Sequence, residues 1–122
     1  MDFDEARPLW TQLVDEFHRR IGGGQWKPGS RIPSVRELAL ELGVNPNTVQ
    51  KALAELDREG LTLSERTAGR YVADDQNLIR STRSHLAGHA ATAYVETARA
   101  VGLKLAEALN LVEQRWESKE GA

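Results

Sequence analysis

Cysteine is missing from all 122 residues, which excludes a disulfide framework and thiolate chemistry. No apolar run approaches the ~20 residues of a membrane-spanning helix. The opening MDFDEAR is acidic and lacks the apolar core of a secretory signal, so a cytoplasmic location without a membrane partner is expected. Catalytic sets are missing too. Ser34 and Ser64 have no neighbouring base, and no phosphate-cradling G-x-x-x-x-G-K occurs. Neither an enzyme nor a cofactor is expected. Charge of one sign is also scarce, the net being −2. Residues 1–26 hold three Arg against five acids, and 74–122 hold six cations against seven acids. Residues 27–72, with seven cations against six acids, are the only net positive part. That is weak support for a nucleic-acid partner and does not exclude one, because contacts depend on a few placed cations.

What is present centres on Pro33 to Gly60. Ser34 followed by Glu37 is a capping box, in which each side chain satisfies an orphan backbone N–H. Val35, Leu38, Ala39 and Leu42 then form one apolar face, and Gly43 ends the helix. A second helix starts at once, with Asn45 as cap and Pro46 in the first helical position. Its apolar face is Val49, Ala52, Leu53 and Leu56, and Gly60 ends it. Two helices joined by so short a turn must cross at an angle, which is the helix-turn-helix signature. The remaining face of the second helix carries Asn47, Thr48, Gln50, Lys51, Ala54 and Arg58. Amides, a hydroxyl and a cation in a first turn are the groups that read base edges and phosphates. An αα-hairpin that only builds a core has the same apolar pattern, so the flanking segments matter.

Upstream, residues 1–6 are expected to fray. Pro8 opens a helix whose stripe is Leu9, Leu13, Phe17 and Ile21, with Trp10 and Val14 beside it, ending at Gly22-Gly23-Gly24. Gln25 to Ile32 reads as a bent, extended linker. Downstream, Leu61 to Ala73 reads as a hairpin, with Leu61 and Leu63 on one face and Thr62 and Ser64 on the other. Arg66 and Arg70 are expected at or near its tip. Two strands alone are unstable, so the hairpin must pack on the helices. Helix, helix-turn-helix and hairpin in that order make a winged helix.

After the polar residues 74–77, Leu78 to Val101 reads as one alanine-rich helix with an approximate stripe of Ile79, Leu86, Ala90, Ala93, Tyr94 and Val101. Gly102 breaks it. Leu105, Leu109, Val112 and Trp116 mark a second helix. Trp116 could stack on a small molecule, but its helical spacing suits an interface core better. His85, His89 and Glu96 share a helical face that could bind zinc or nickel, yet two His and a distant Glu make a poor site, so no metal is expected.

Residues 8–72 strongly resemble the GntR family of bacterial transcription regulators. The resemblance is carried by Pro8-Leu9-Trp10 with Gln12-Leu13, Pro28-Gly29, and Pro33-Ser34-x-Arg36-Glu37-Leu38-Ala39. It continues through Leu42-Gly43-Val44-Asn45-Pro46-Asn47-Thr48-Val49, Lys51-Ala52, Glu55-Leu56 and Glu59-Gly60-Leu61, and ends with Arg66, Gly69 and Tyr71-Val72. The short two-helix tail resembles the YtrA-like subfamily. The resemblance implies a homodimer on a near-palindromic double-stranded DNA operator, usually as a repressor, with ABC transporter genes often under control. By position it implies Arg36 approaching DNA from the first helix of the pair. Asn47, Thr48 and Gln50 would face the major groove, with Lys51 and Ser34 at phosphates and Arg66, Thr67, Gly69 and Arg70 in the wing. Two departures stand out. Thr67 and Ala68 occupy places where the family usually has glycine after the wing arginine, and Lys104 replaces the usual small N-cap of the last helix.

The expected fold is therefore mainly α with a small β-hairpin. Residues 1–73 form a winged helix-turn-helix DNA-binding domain and 74–122 a two-helix dimerisation region. Leu86, Ala90, Tyr94, Leu105, Leu109, Val112 and Trp116 are the expected dimer interface. The expected function is sequence-specific transcription regulation. The alternative is a winged-helix protein–protein adaptor that does not bind DNA. The sequence names no effector.

Overall fold

A computed structural model of the chain describes residues 1–118. Its elements are α1 (Leu9–Gly22), α2 (Val35–Leu42), α3 (Pro46–Arg58), β1 (Thr62–Glu65), β2 (Gly69–Val72), α4 (Gln76–Ala100) and α5 (Leu105–Glu117). Contacts divide the chain into two compact units, residues 1–86 and residues from 87 onward. The division falls inside α4 because its opening belongs to the first unit. Ile79 is buried there, Leu78 packs against the core, and the Arg83 Nε donates to the Gly22 carbonyl at 2.9 Å.

The first unit is built around α3. Val49, Ala52, Leu53 and Leu56 are fully buried on one side of it, together with Leu13, Phe17 and Ile21 of α1 and Leu38 of α2. Each helix starts as its local chemistry dictates. The Ser34 Oγ accepts from the Glu37 N–H at 3.1 Å, while the Glu37 carboxylate accepts from the Ser34 N–H at 3.3 Å. The Asn45 side chain accepts from the Asn47 N–H at 2.8 Å. Between α2 and α3, Gly43 takes φ 67°, a left-handed conformation that reverses the chain without a Cβ penalty.

Three local expectations are corrected. Residues 1–6 are not frayed as a block. The buried Gln12 amide donates to the carbonyls of Asp4 and Arg7, its carbonyl accepts from the Asp4 N–H, and Phe3 packs on the core. The hairpin faces are also inverted relative to the alternation read from the sequence. Leu63 is exposed and Thr62 is buried, because Leu61 enters the core from the turn before β1 and the strand proper starts at Thr62. Lastly, the 25–32 linker is more than a connection. Arg31 bridges Tyr71, and the Ile32 N–H donates to Arg70 while Ser30 accepts from Val72, so the linker adds a third strand-like edge to the hairpin. A pair of strands so supported no longer has to stand alone.

α1 is tied to α2 by a buried ionic knot. Arg20 donates from Nε to Glu16 at 2.9 Å and from Nη1 to Glu41 at 3.2 Å, and its guanidinium lies 5.4 Å from the Trp26 ring centroid. Trp26 in turn stacks on Phe17 with centroids 5.2 Å apart. Hydrogen bonding to Glu41 raises the Arg20 pKa further. Burial alone would push the Glu16 carboxyl up, but hydrogen bonds from Arg20 and Arg19 outweigh it and hold the group below the ordinary carboxylate range.

In the second unit the Tyr94 hydroxyl donates to the Ala108 carbonyl at 2.7 Å, and Ala98 is buried. Lys104 is a workable start for α5, because the Glu107 carboxylate accepts from its N–H at 2.9 Å. That is half a capping box, supplied from the third helical position rather than from the cap itself. α5 keeps no residue buried. Among the described residues no helix is long and apolar enough to cross a membrane.

The Arg20 knot yields a prediction. Arg20→Ala should lower unfolding free energy by about 2–3 kcal/mol, below the ~3–5 of a fully buried pair because Glu41 is half exposed. Urea titration with an unchanged m-value would measure it. A carboxyl with a lowered folded pKa adds stability above its unfolded pKa and loses it in acid, so the deficit should narrow as pH falls below the ordinary carboxylate range.

Candidate nucleic-acid interface

The surface that could meet a nucleic acid is assembled from three places: the start of α2, the first turns of α3, and the hairpin. On α3 the face opposite the core exposes Asn47, Gln50 and Lys51, with Thr48 half-buried beside them. Lys51 is not loose. Its Nζ lies 4.5 Å from the centroid of the Trp10 ring, so α1 steadies a cation on α3 through the ring's electron-rich face. Leu9, Trp10, Asn47, Thr48 and Lys51 line one shallow depression. Ser34 and Arg36 are exposed at the start of α2, where the Ser34 hydroxyl already serves the helix as cap.

The hairpin is a three-residue turn, since Glu65 pairs with Gly69 across Arg66, Thr67 and Ala68. Gly69 takes φ 96°, and among the described residues none other than glycine has positive φ. The turn thus needs one left-handed position, filled by Gly69, which is why Thr67 and Ala68 can stand where the family usually has glycine. Arg66 is exposed at the tip. Arg70 lies in β2 instead, paired with Ser64, and its guanidinium grips Asp57 of α3 with Nε to Oδ1 at 3.1 Å and Nη2 to Oδ2 at 3.0 Å. Asp57 also accepts from Thr62 and, at 3.3 Å, from Ser64. One carboxylate at the end of α3 therefore fastens both strands of the hairpin.

The charges sort themselves by pairing. In residues 27–72, five of the six acids serve the protein's own groups. The Glu37 carboxylate accepts from the Ser34 N–H at the start of α2, Glu41 holds Arg20, Glu55 holds Arg58, Asp57 holds Arg70, and Glu59 faces His18. Hydrogen bonding from Arg58 lowers the Glu55 pKa. Of the seven cations, only Arg58 and Arg70 are in ion pairs among the described residues, so Lys27, Arg31, Arg36, Lys51 and Arg66 remain unpaired. A near-neutral segment leaves five cations unpaired because five of its six acids are engaged with the protein's own groups.

Of the tail residues, Leu86 sits against α1, where a Cβ placed on Gly22 would be 3.5 Å from its Cδ1. Tyr94 is half-buried by its bond to Ala108, and Ala90, Leu105, Leu109, Val112 and Trp116 are exposed. His85 and His89 are exposed too, and no cluster of three or more metal-ligating side chains occurs among the described residues.

Residues 9–72 match the family described as bacterial regulatory proteins, gntR family. The chain belongs to the GntR family. It is accordingly a DNA-binding transcription regulator rather than an enzyme, and its helix pair and hairpin are a winged helix. It is 29% identical over 107 residues to YhcF, an HTH-type transcriptional regulator of Bacillus subtilis, covering 88% of each protein. It is 39% identical over 75 residues to the Bacillus subtilis repressor YtrA, covering 62% of this chain and 58% of that one, and it is YtrA-like. Its fold matches a GntR regulator from Listeria monocytogenes at a TM-score of 0.85 and 29% identity, over 92% of this chain and 98% of that one. The DNA-binding domain of AraR, solved in complex with operator ORX1, matches at a TM-score of 0.53 and 31% identity, over 60% of this chain and 89% of that one.

Two features of this GntR surface escaped the sequence reading. Trp10 showed as a core residue by its helical spacing, and nothing local announced Lys51 above it. Arg31 was hidden in a linker whose pairing with β2 joins residues 40 apart. The Asp57 fastening also yields a prediction. Asp57→Ala should cost about 2 kcal/mol, since it removes charge-assisted hydrogen bonds to Arg70, Thr62 and Ser64 at a partly exposed site. Hydrogen exchange should show β1 and β2 losing more protection than α1.

Proposed function

We propose that this protein is a homodimeric repressor that reads a near-palindromic operator through the first turns of α3. In keeping with its YtrA-like character, the genes we propose it controls include an ABC transporter. The observation that carries the reading is the division of α3. One face is wholly spent on the core, while the other offers Asn47, Gln50 and Lys51 to solvent. An α-helix fits the major groove, where such amides can address adenine edges. Arg36 from α2 approaches from beside it, Ser34 and Lys51 take phosphates, and Arg66 with Thr67 and Gly69 forms the wing contact. Arg70 supports the wing from behind. AraR, a structural neighbour solved with its operator, lends support to this mode of engagement. The repressor assignment draws on the name of YtrA.

For the dimer, the support is unspent apolar surface. Leu105 is 74% exposed, Leu109 54%, Val112 42% and Trp116 87%, all on one stripe of α5. A helix with such a stripe buries it, and a closed two-fold pairing is the commonest solution. Two recognition helices about one DNA turn apart then read two half-sites, and the second contact becomes nearly intramolecular.

The experiment is operator titration with the full chain on DNA from its own promoter. Arg36→Ala should cost ~1–3 kcal/mol and relax preference at one base pair, as removal of a bidentate guanine contact does. Lys51→Ala should weaken all sequences alike and shallow the salt dependence by about one unit. Identical specificity profiles for the two variants would contradict these roles.

For the tail, Leu109→Glu should give a folded monomer by sedimentation, with operator affinity reduced by on the order of 10²–10⁴. A wild-type chain that stays monomeric at micromolar concentration would end the dimer proposal.

A further inference from the structure

Arg31 has no role in the operator contacts described above, yet its position is unusual. Its main chain is immobilised on both sides: Arg31 bridges Tyr71, the Ile32 N–H donates to the Arg70 carbonyl at 3.0 Å, and the Val72 N–H donates to Ser30 at 2.9 Å. Its side chain runs across Gly69. A Cβ built on that glycine would stand 2.9 Å from Arg31 Nε, 3.2 Å from Nη2 and 3.3 Å from Cζ. Glycine at position 69 thus meets two demands, the φ of 96° and the passage of a guanidinium over the backbone.

The guanidinium borders a notch of about 260 Å³ that reaches from Ser34 at the start of α2 to Gly69 at the wing. Two other charged groups line the notch. Arg70 is committed to Asp57, and Glu65 makes no hydrogen bond to Arg31 among the described residues. Arg31 is therefore the unpaired cation of the notch, held between the two places where the protein meets a DNA backbone in the proposed mode.

We infer that Arg31 is a further DNA-contacting residue, clamping a backbone phosphate between the α2 contact and the wing contact. The inference rests on the operator-binding reading. A phosphate is the ligand that fits. A strand that touches both Ser34 and the wing must pass the notch. A guanidinium can meet its charge bidentately through its fixed fork of donors. Phosphate contacts set register and orientation and carry no base identity.

The test uses the full-length chain and three proteins: wild type, Arg31→Gln and Arg31→Lys. Operator affinity is followed by fluorescence anisotropy across a salt series, alongside thermal melting and a selection for preferred sequence. Arg31→Gln should bind about tenfold more weakly near physiological salt. Its slope of log affinity against log salt should be shallower by roughly 0.9 for each subunit that loses the contact. Its melting temperature and preferred sequence should match wild type. Arg31→Lys, which keeps the charge, should retain the wild-type slope. Wild-type affinity and slope in Arg31→Gln would overturn the inference while leaving operator binding intact. So would a changed base preference, which would mark a base contact instead of a phosphate one. Failure of the wild type itself to bind any operator would overturn the parent reading, and this inference with it.

Discussion

α3 has to satisfy two incompatible demands along one short cylinder, and the rest of the first unit follows from how they are reconciled. One side carries Val49, Ala52, Leu53 and Leu56, which only a close-packed partner can cover. α1 and α2 supply that cover with Leu13, Phe17, Ile21 and Leu38. The opposite side keeps Asn47, Gln50 and Lys51 exposed, with only Trp10 of α1 reaching Lys51. The Arg20 knot and the Phe17–Trp26 stack fix α1 and α2 in the positions that this cover requires. Removing solvent from one side of α3 is thus what leaves the other side available for recognition.

Much of this was legible from local chemistry. Capping residues act over three positions, so Ser34 with Glu37 and Asn45 with Pro46 announced their helix starts without tertiary information. The apolar stripe of α1 is legible from its four-residue spacing, which brings Leu13, Phe17 and Ile21 into the core. What stayed hidden involves residues distant in sequence. Asp57 meets Arg70 across 13 positions, and Arg31 meets Tyr71 across 40. No periodicity encodes such pairs. The hairpin faces depart from an alternation that starts at Leu61, because the turn after Gly60 delivers Leu61 to the core before the strand begins. One residue of register reverses every side chain that follows.

Electrostatics taught a similar lesson at the scale of a segment. Counting charges in 27–72 suggested near neutrality, and the count was correct. Its meaning changes once the acids are seen to be engaged with Arg20, Arg58, Arg70, His18 and the α2 cap. Those carboxylates are local counterions. What a polyanion meets is the remainder, and for residues 27–72 the remainder is cationic.

The Asp57 fastening has one more consequence. Because a single carboxylate joins the end of α3 to both strands of the hairpin, the separation between helix and wing is set before any DNA arrives. The two parts work as a calliper with a fixed gap. Such a tool does not close around its object, so the duplex has to supply the matching groove width. Sequences that hold this width at rest accept the calliper without distortion. Those that must be deformed to it incur a cost set by the stiffness of their base steps. On the proposed operator-binding reading, a protein of this build discriminates partly by the stiffness of base steps that none of its side chains touch.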